Sequence, residues 1–113
     1  MRYVLMLCSD AAGGMTPERQ DAVTDGCGGW TEEMLRRGVA RSAVGLAPAG
    51  EGRAVRVRGG EVLLGDGPFA ETKDQIGGFV LVEAADLAEA LALAAAHPWA
   101  GQGQIEVRRV REA

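Results

Sequence analysis

Apolar positions along the chain follow strand-like spacing in some segments and helix-like spacing in others. Residues 3–8 form an apolar run of strand length, and residues 54–58 alternate between apolar and polar side chains. Such alternation is typical of a half-exposed strand. Further apolar runs predict strands over 42–46, 62–64, 78–83 and 105–110. Gly59-Gly60 separates two of these strands and predicts a tight hairpin turn.

A first helix is predicted to begin at Thr16-Pro17-Glu18, which offers a hydroxyl cap, a proline at the first helical position and an early carboxylate. Gly38 is a plausible end. One buried face is predicted from the spacing of Val23, Cys27, Trp30 and Met34. Gly26, Gly28 and Gly29 lie in the middle, each costing roughly 1 kcal/mol relative to alanine. We therefore expect one helix that is interrupted or bent near these glycines.

A second helix is predicted to open at Asp86-Leu87-Ala88-Glu89, which has the spacing of a capping box. Its core stripe is predicted at Leu87, Leu91, Ala94 and Ala95. His97-Pro98 ends it, because a proline disfavours helical backbone at the residue before it.

The order of elements predicts an α+β fold formed by a single domain over residues 1–113. Without the hairpin it is a βαββαβ chain, the ferredoxin-like plan with an inserted β-hairpin. Two helices cover one face of such a sheet, yet residues 3–8 and 79–82 are apolar on both faces. We therefore predict a homodimer in which two sheets pack face to face.

Composition and charge exclude several classes of protein. The chain has 113 residues and a net charge of −4, with 12 basic residues of which Lys73 is the only lysine. This balance does not favour nucleic-acid binding through phosphate neutralisation. The six-residue apolar stretch near the N-terminus lacks a small-residue cleavage site, and no segment has transmembrane length, so we expect no membrane and a cytoplasmic protein. Cys8 and Cys27 are expected to be reduced, although a disulfide between them stays open.

The richest polar segment runs from Asp66 to Lys73. Pro68 fixes its own backbone angle and restricts Gly67, so the loop is stiffer than its length suggests. Phe69 is predicted to anchor the loop in the core, and Glu71, Thr72 and Lys73 would be displayed from a rigid base, as in a binding site. The alternative is a structural clip that closes the hairpin and contacts a partner subunit.

The segment Asp66-Gly67-Pro68-Phe69-Ala70-Glu71-Thr72-Lys73, followed by Gly77-Gly78-Phe79, resembles the motif of the YCII-related, DGPF-type family. The resemblance extends in order through residues 1–7, 55–58, 86–90, 97–98 and 105–108. It implies a ferredoxin-like fold, a dimeric α+β barrel and a candidate Asp–His catalytic pair in a cleft. It also implies that some relatives act on small aromatic substrates, and that others are encoded near extracytoplasmic-function sigma factors.

His97 is the only histidine, and Asp66 is its predicted acid–base partner, with Asp10 as an alternative carboxylate. The structural interpretation of His97 is a residue at a helix C-terminus, stabilised by the helix dipole. Arg56 shares a strand face with Arg58, where it would bind an anionic group or simply face solvent. One histidine and two distant cysteines do not form a zinc site, and no phosphate-binding loop or nucleophile elbow occurs, so we expect no metal and no bound organic cofactor.

Two functions follow from the sequence. The first is a small cofactor-independent enzyme in which Asp66 and His97 move protons, while Arg56 or Lys73 holds an anionic or phenolic substrate. The second is a non-catalytic dimeric module that binds a small ligand or regulates a sigma factor.

Overall fold

The computed structural model describes residues 1–10, 17–47, 51–66 and 74–111. These residues form an α+β fold, as predicted. The elements are β1 (Arg2–Asp10), α1 (Pro17–Arg36), β2 (Ala40–Gly45), β3 (Arg53–Arg58), β4 (Glu61–Asp66), β5 (Asp74–Glu83), α2 (Leu87–Ala96), a 3-10 helix (Pro98–Gly101) and β6 (Gln104–Arg109).

The main sheet has four strands in the order β2-β5-β1-β6, and every pair in it is antiparallel. The central strand β1 pairs with β5 on one side and with β6 on the other. With two helices on an antiparallel sheet, this topology is compatible with a ferredoxin-like fold. β5 begins at Asp74, so the strand predicted over 78–83 starts four residues earlier than expected.

β3 and β4 form a separate two-stranded antiparallel sheet. The turn between them uses Gly59 and Gly60 at φ of 58° and 80°, the left-handed region that a tight hairpin turn requires and that glycine adopts without strain. Among the described residues, neither strand packs extensively on another element. Val55 and Val57 lie opposite Leu64 and Val62, and all four side chains are exposed. The hairpin therefore presents an apolar face that no described element covers.

The core lies between the four-stranded sheet and the helices. Tyr3 and Leu5 of β1 and Val80 and Val82 of β5 point toward the helices, where Met34, Ala90 and Ala94 pack on them. Burial of these side chains stabilises the sheet–helix layer by roughly 25 cal/mol for each Å² of apolar surface removed from water. This layer holds α1 over the β2–β5 side of the sheet.

α1 is one continuous helix, so the expected interruption near Gly26, Gly28 and Gly29 is not present. The helix begins at Pro17, as predicted. Its predicted face is at least half-buried at Val23, Cys27, Trp30 and Met34. Packing of this face offsets the propensity cost of the glycines, which explains why the helix does not break.

α2 begins after Asp86, whose side-chain oxygen accepts a 2.9 Å hydrogen bond from the Glu89 amide, and it ends at His97, both as predicted. The predicted core stripe is wrong in part, because Leu87, Leu91 and Ala95 are exposed. Ala90 and Ala94 face the sheet instead. Nearly every position of this helix is apolar, so hydrophobicity alone does not fix its rotation.

Within the described part of the chain, neither helix combines the length and hydropathy needed to cross a bilayer.

Candidate functional site

The 3-10 helix after α2 contacts α1, α2 and β6. Trp99 ties it to the sheet, since its indole Nε1–H donates a 2.9 Å hydrogen bond to the carbonyl oxygen of Cys8. Gly103 passes close to this bond: a Cβ on it would lie 2.5 Å from the Cys8 oxygen and 2.8 Å from the Trp99 Nε1. The segment is therefore held in one position by a contact that only glycine permits.

His97 lies where α2 ends and the 3-10 helix begins. Its amide donates to the carbonyl of Ala94 at 3.1 Å, and its Nδ1 accepts a 3.0 Å hydrogen bond from the Trp99 amide. The side chain is only 2% exposed. His97 thus caps both helices, which accounts for its position without any chemistry.

The imidazole has a defined proton arrangement. Because Nδ1 accepts a hydrogen bond, the proton of the neutral ring is on Nε2. That Nε2 is buried and has no hydrogen-bond partner among the described residues. Burial lowers the pKa of His97, because desolvation penalises the charged form. His97 is therefore a neutral ring with an unsatisfied N–H donor.

His97 also lines a cavity of about 520 Å³ between α1 and the β2–β5 side of the sheet. Its walls are mainly apolar residues and glycines. The lining residues are Leu7, Cys27, Gly28, Thr31, Glu32, Leu35, Ala43, Val44, Gly45, Gly77, Gly78, Phe79, Val80 and His97.

Few polar groups reach the cavity. Besides His97 they are Cys27, Thr31 and Glu32 from α1, and Glu32 is the only charged residue among the described lining residues. Desolvation raises the pKa of Cys27, while a hydrogen bond from the Trp99 backbone acts in the opposite direction. Cys27 is thus a neutral thiol near pH 7. The described lining residues therefore offer hydrogen-bond donors and one carboxylate, and none of them is positively charged.

Trp30 packs behind His97, with the ring centroids 4.6 Å apart and the planes tilted by 60°. Its indole Nε1 is also buried without a partner among the described residues. Trp30 contacts the core cluster, as its place on the helical stripe predicts. It fixes one face of the His97 ring.

The predicted site residues fall in different parts of the molecule. His97 lines the cavity, whereas Arg56 lies on β3, is exposed and is not among the cavity residues. Asp66 ends β4 and Asp10 ends β1, but their side chains are outside the described residues. The remaining predicted positions, Phe69, Glu71, Thr72 and Lys73, also lie outside the described residues.

Sequence reasoning missed Cys27, Thr31 and Glu32 as lining residues. Their spacing of four and one places them on neighbouring rows of one helix, but only Cys27 was predicted to lie on a buried face. The two cysteines are free thiols, with Cys8 buried. Among the described residues, no group of three His, Cys, Asp or Glu side chains is placed to hold a metal ion.

The sequence profile of the YCII-related domain matches residues 1–113. Uncharacterized protein R00369 of Rhizobium meliloti (strain 1021) is 48% identical to this chain over 46 residues. That similarity covers 41% of this chain and 37% of the relative's length. Because the profile spans the whole chain, the protein belongs to the YCII-related domain family.

Proposed function

We propose that this protein binds a small molecule in the cavity between α1 and the β2–β5 side of the sheet, at His97. The observation that carries the proposal is the buried His97 Nε2–H, which has no acceptor among the described residues and belongs to a residue lining that cavity. An unsatisfied buried donor costs about 1–3 kcal/mol, so a ligand oxygen placed there recovers that free energy on binding.

The size and lining of the cavity support the same proposal. A volume of 520 Å³ is within the range of small-molecule sites, and Leu7, Leu35 and Val80 supply apolar walls. Apolar walls of this kind give contact area for a ring-sized compound, while a few polar groups fix its orientation.

Binding can be tested by amide chemical-shift mapping with phenol and benzamide as probes. We expect perturbations at Thr31, Ala43 and Val80, and none at Arg56 on β3. Ala43→Phe, on the cavity side of β2, should abolish them by filling the cavity. Ser42→Phe is the matched control, because residue 42 points to the opposite face of the same strand and should leave binding intact. Equal loss in both variants, or no saturable shifts with either probe, contradicts a binding site here.

A catalytic function is the second candidate, because His97 lines a cavity where a substrate would sit. In it, Asp66 and His97 exchange protons with the substrate, and Phe69, Glu71, Thr72 and Lys73 hold it. Turnover of phenolic compounds would have to fall when Asp66→Asn and His97→Gln are made singly. If a regulatory role holds instead, the protein should co-purify with an extracytoplasmic-function sigma factor from its source, and neither substitution should affect that.

We also propose that the protein is a homodimer packed through sheet faces. The face of the main sheet away from the helices carries Val4, Val44, Phe79 and Leu81, by strand alternation and register. Val44 is 56% exposed, and the helices pack on the opposite face of the sheet. The separate hairpin adds a second uncovered apolar face, and isolated hairpins are marginally stable in water. A second copy of the chain would cover both.

Light scattering coupled to size-exclusion chromatography tests this assembly. The wild type should run at twice its chain mass, and Leu81→Arg should run as a monomer. Leu87→Arg, at an exposed position on α2, is the matched control and should remain dimeric. A monomeric wild type is the outcome that overturns the proposal.

A further inference from the structure

This inference rests on the proposed cavity function and names the class of ligand. We propose that His97 serves the cavity as an uncharged hydrogen-bond donor through Nε2, and that the ligand is an uncharged, mainly apolar compound presenting an oxygen acceptor. Carbonyl, amide, ether and neutral phenol groups fit this description. Carboxylates and phosphates do not.

A hydrogen bond fixes the tautomer of the His97 ring. The Trp99 amide points its hydrogen at His97 Nδ1 from 3.0 Å, and that amide belongs to the first turn of the 3-10 helix. The Trp99 indole is in turn anchored to the Cys8 carbonyl. A proton on Nδ1 would oppose the Trp99 N–H donor directly, so the neutral ring carries its proton on Nε2. Trp99 is therefore a positioning residue for His97.

This tautomer decides which role Nε2 can take toward a ligand. With a hydrogen already bound, it donates and has no lone pair available in the ring plane. To act as a general base there, His97 would have to move its proton to Nδ1 and lose the Trp99 hydrogen bond. This arrangement suits a donor that polarises a carbonyl or a hydroxyl oxygen, and it does not suit proton abstraction.

The charge of the cavity wall decides which ligands it favours. The titratable groups that line it are Cys27 and Glu32 on α1, together with His97, and the described lining residues of β1, β2 and β5 carry none. Burial keeps Cys27 and His97 uncharged near pH 7. A ligand anion would lose part of its hydration without gaining a described cationic partner, and the Glu32 carboxylate adds repulsion. The wall therefore selects against anionic ligands.

Nitrogen-15 spectra of the histidine ring test the tautomer directly, because His97 is the only histidine in the chain. At pH 7 we expect one protonated nitrogen, Nε2, and an unprotonated Nδ1. Addition of benzamide should shift the Nε2 and its hydrogen more than the Nδ1. An Nδ1-protonated ring, or an imidazolium at pH 7, overturns the inference even if the cavity binds probes.

Three matched probes test the ligand class: benzamide, toluene and benzoate share a ring and differ in one substituent. Benzamide should bind about fivefold more tightly than toluene, the value of one net hydrogen bond. Benzoate should bind at least about tenfold more weakly than benzamide, since its charge lacks a partner. In His97→Phe the ring shape is kept and the donor is lost, so the benzamide advantage over toluene should disappear while toluene still binds.

The outcomes separate the two proposals. If benzoate binds as well as benzamide, or the benzamide advantage survives in His97→Phe, the inference fails and the cavity remains a binding site. If none of the three probes binds to the folded wild-type protein, the proposed function fails and this inference fails with it. Retained toluene binding in His97→Phe shows that the variant is folded with its cavity intact.

Discussion

Gly103→Ala is the substitution whose effect the structure specifies most closely. A Cβ at this position would lie 2.5 Å from the Cys8 carbonyl oxygen and 2.8 Å from the Trp99 Nε1. These atoms are the acceptor and the donor of the hydrogen bond that anchors the 3-10 helix. The methyl group cannot be accommodated unless this bond opens, because backbone stands on one side and a packed indole on the other. The substitution therefore removes the anchor and displaces Trp99.

The magnitude combines three contributions. Overpacking of a filled site costs about 1–3 kcal/mol, and a lost hydrogen bond that leaves polar groups unpaired costs about 1–3 kcal/mol. The reduced freedom of the unfolded chain returns about 0.4–1 kcal/mol. We expect a net loss of about 3 kcal/mol in the free energy of unfolding.

Urea denaturation followed by far-ultraviolet circular dichroism measures this loss. Gly101→Ala is the matched control in the same segment, since a Cβ there meets nothing within 4 Å. It should leave stability unchanged or raise it by about 0.5 kcal/mol. The reasoning is refuted if Gly103→Ala stays within about 0.5 kcal/mol of the wild type, or if both variants lose the same amount.

Three further predictions concern α1, His97 and Cys27. Gly29→Ala should raise the free energy of unfolding by about 1 kcal/mol in urea denaturation. Gly29 lies inside a continuous helix, and an added Cβ would meet nothing within 4 Å. A loss of stability would show that α1 bends there. The pKa of His97 is lowered in the folded state from its ordinary value of 6.5. As pH falls below 6.5 the unfolded chain therefore binds a proton before the folded protein does, and the free energy of unfolding should fall. Above pH 6.5 the stabilisation by neutral His97 is fully present. His97→Gln should flatten that part of the stability–pH curve, and an unchanged slope would contradict the assignment. Because burial raises the pKa of Cys27, iodoacetamide should alkylate it slowly near pH 7 and faster at higher pH. Cys8 is buried and should stay unmodified in the folded protein. Rapid labelling of both cysteines, measured by mass spectrometry, would contradict this.

Local chemistry made the ends of the elements predictable. Pro17 at the start of α1, Asp86 before α2 and the His97-Pro98 stop all act within one turn of chain, so no tertiary information is needed. The rotation of α2 was not predictable, because its many alanines and leucines leave no polar face to orient it. The continuity of α1 was also missed, since helix propensity does not include the packing of Trp30 and Met34 on the core.

The candidate site, like the fold, was predictable from the sequence only in part. His97 was predicted as a functional candidate because it is the only histidine, and as a cap because of Pro98. The sequence could not show that Nδ1 is occupied by the Trp99 amide, since that bond depends on the exact backbone of a 3-10 helix that was not predicted. It also could not show that α1 lies over the β2–β5 side, which is what forms the cavity.

The proposed ligand site in the cavity lined by His97 depends on the Nε2 donor. The most direct measurement is a benzamide titration of protein labelled with nitrogen-15 in its one histidine. We expect a saturable shift of the Nε2 signal, with Nδ1 remaining an unprotonated acceptor throughout. A titration in which the ring signals stay unchanged while amides of the β3–β4 hairpin shift would contradict it.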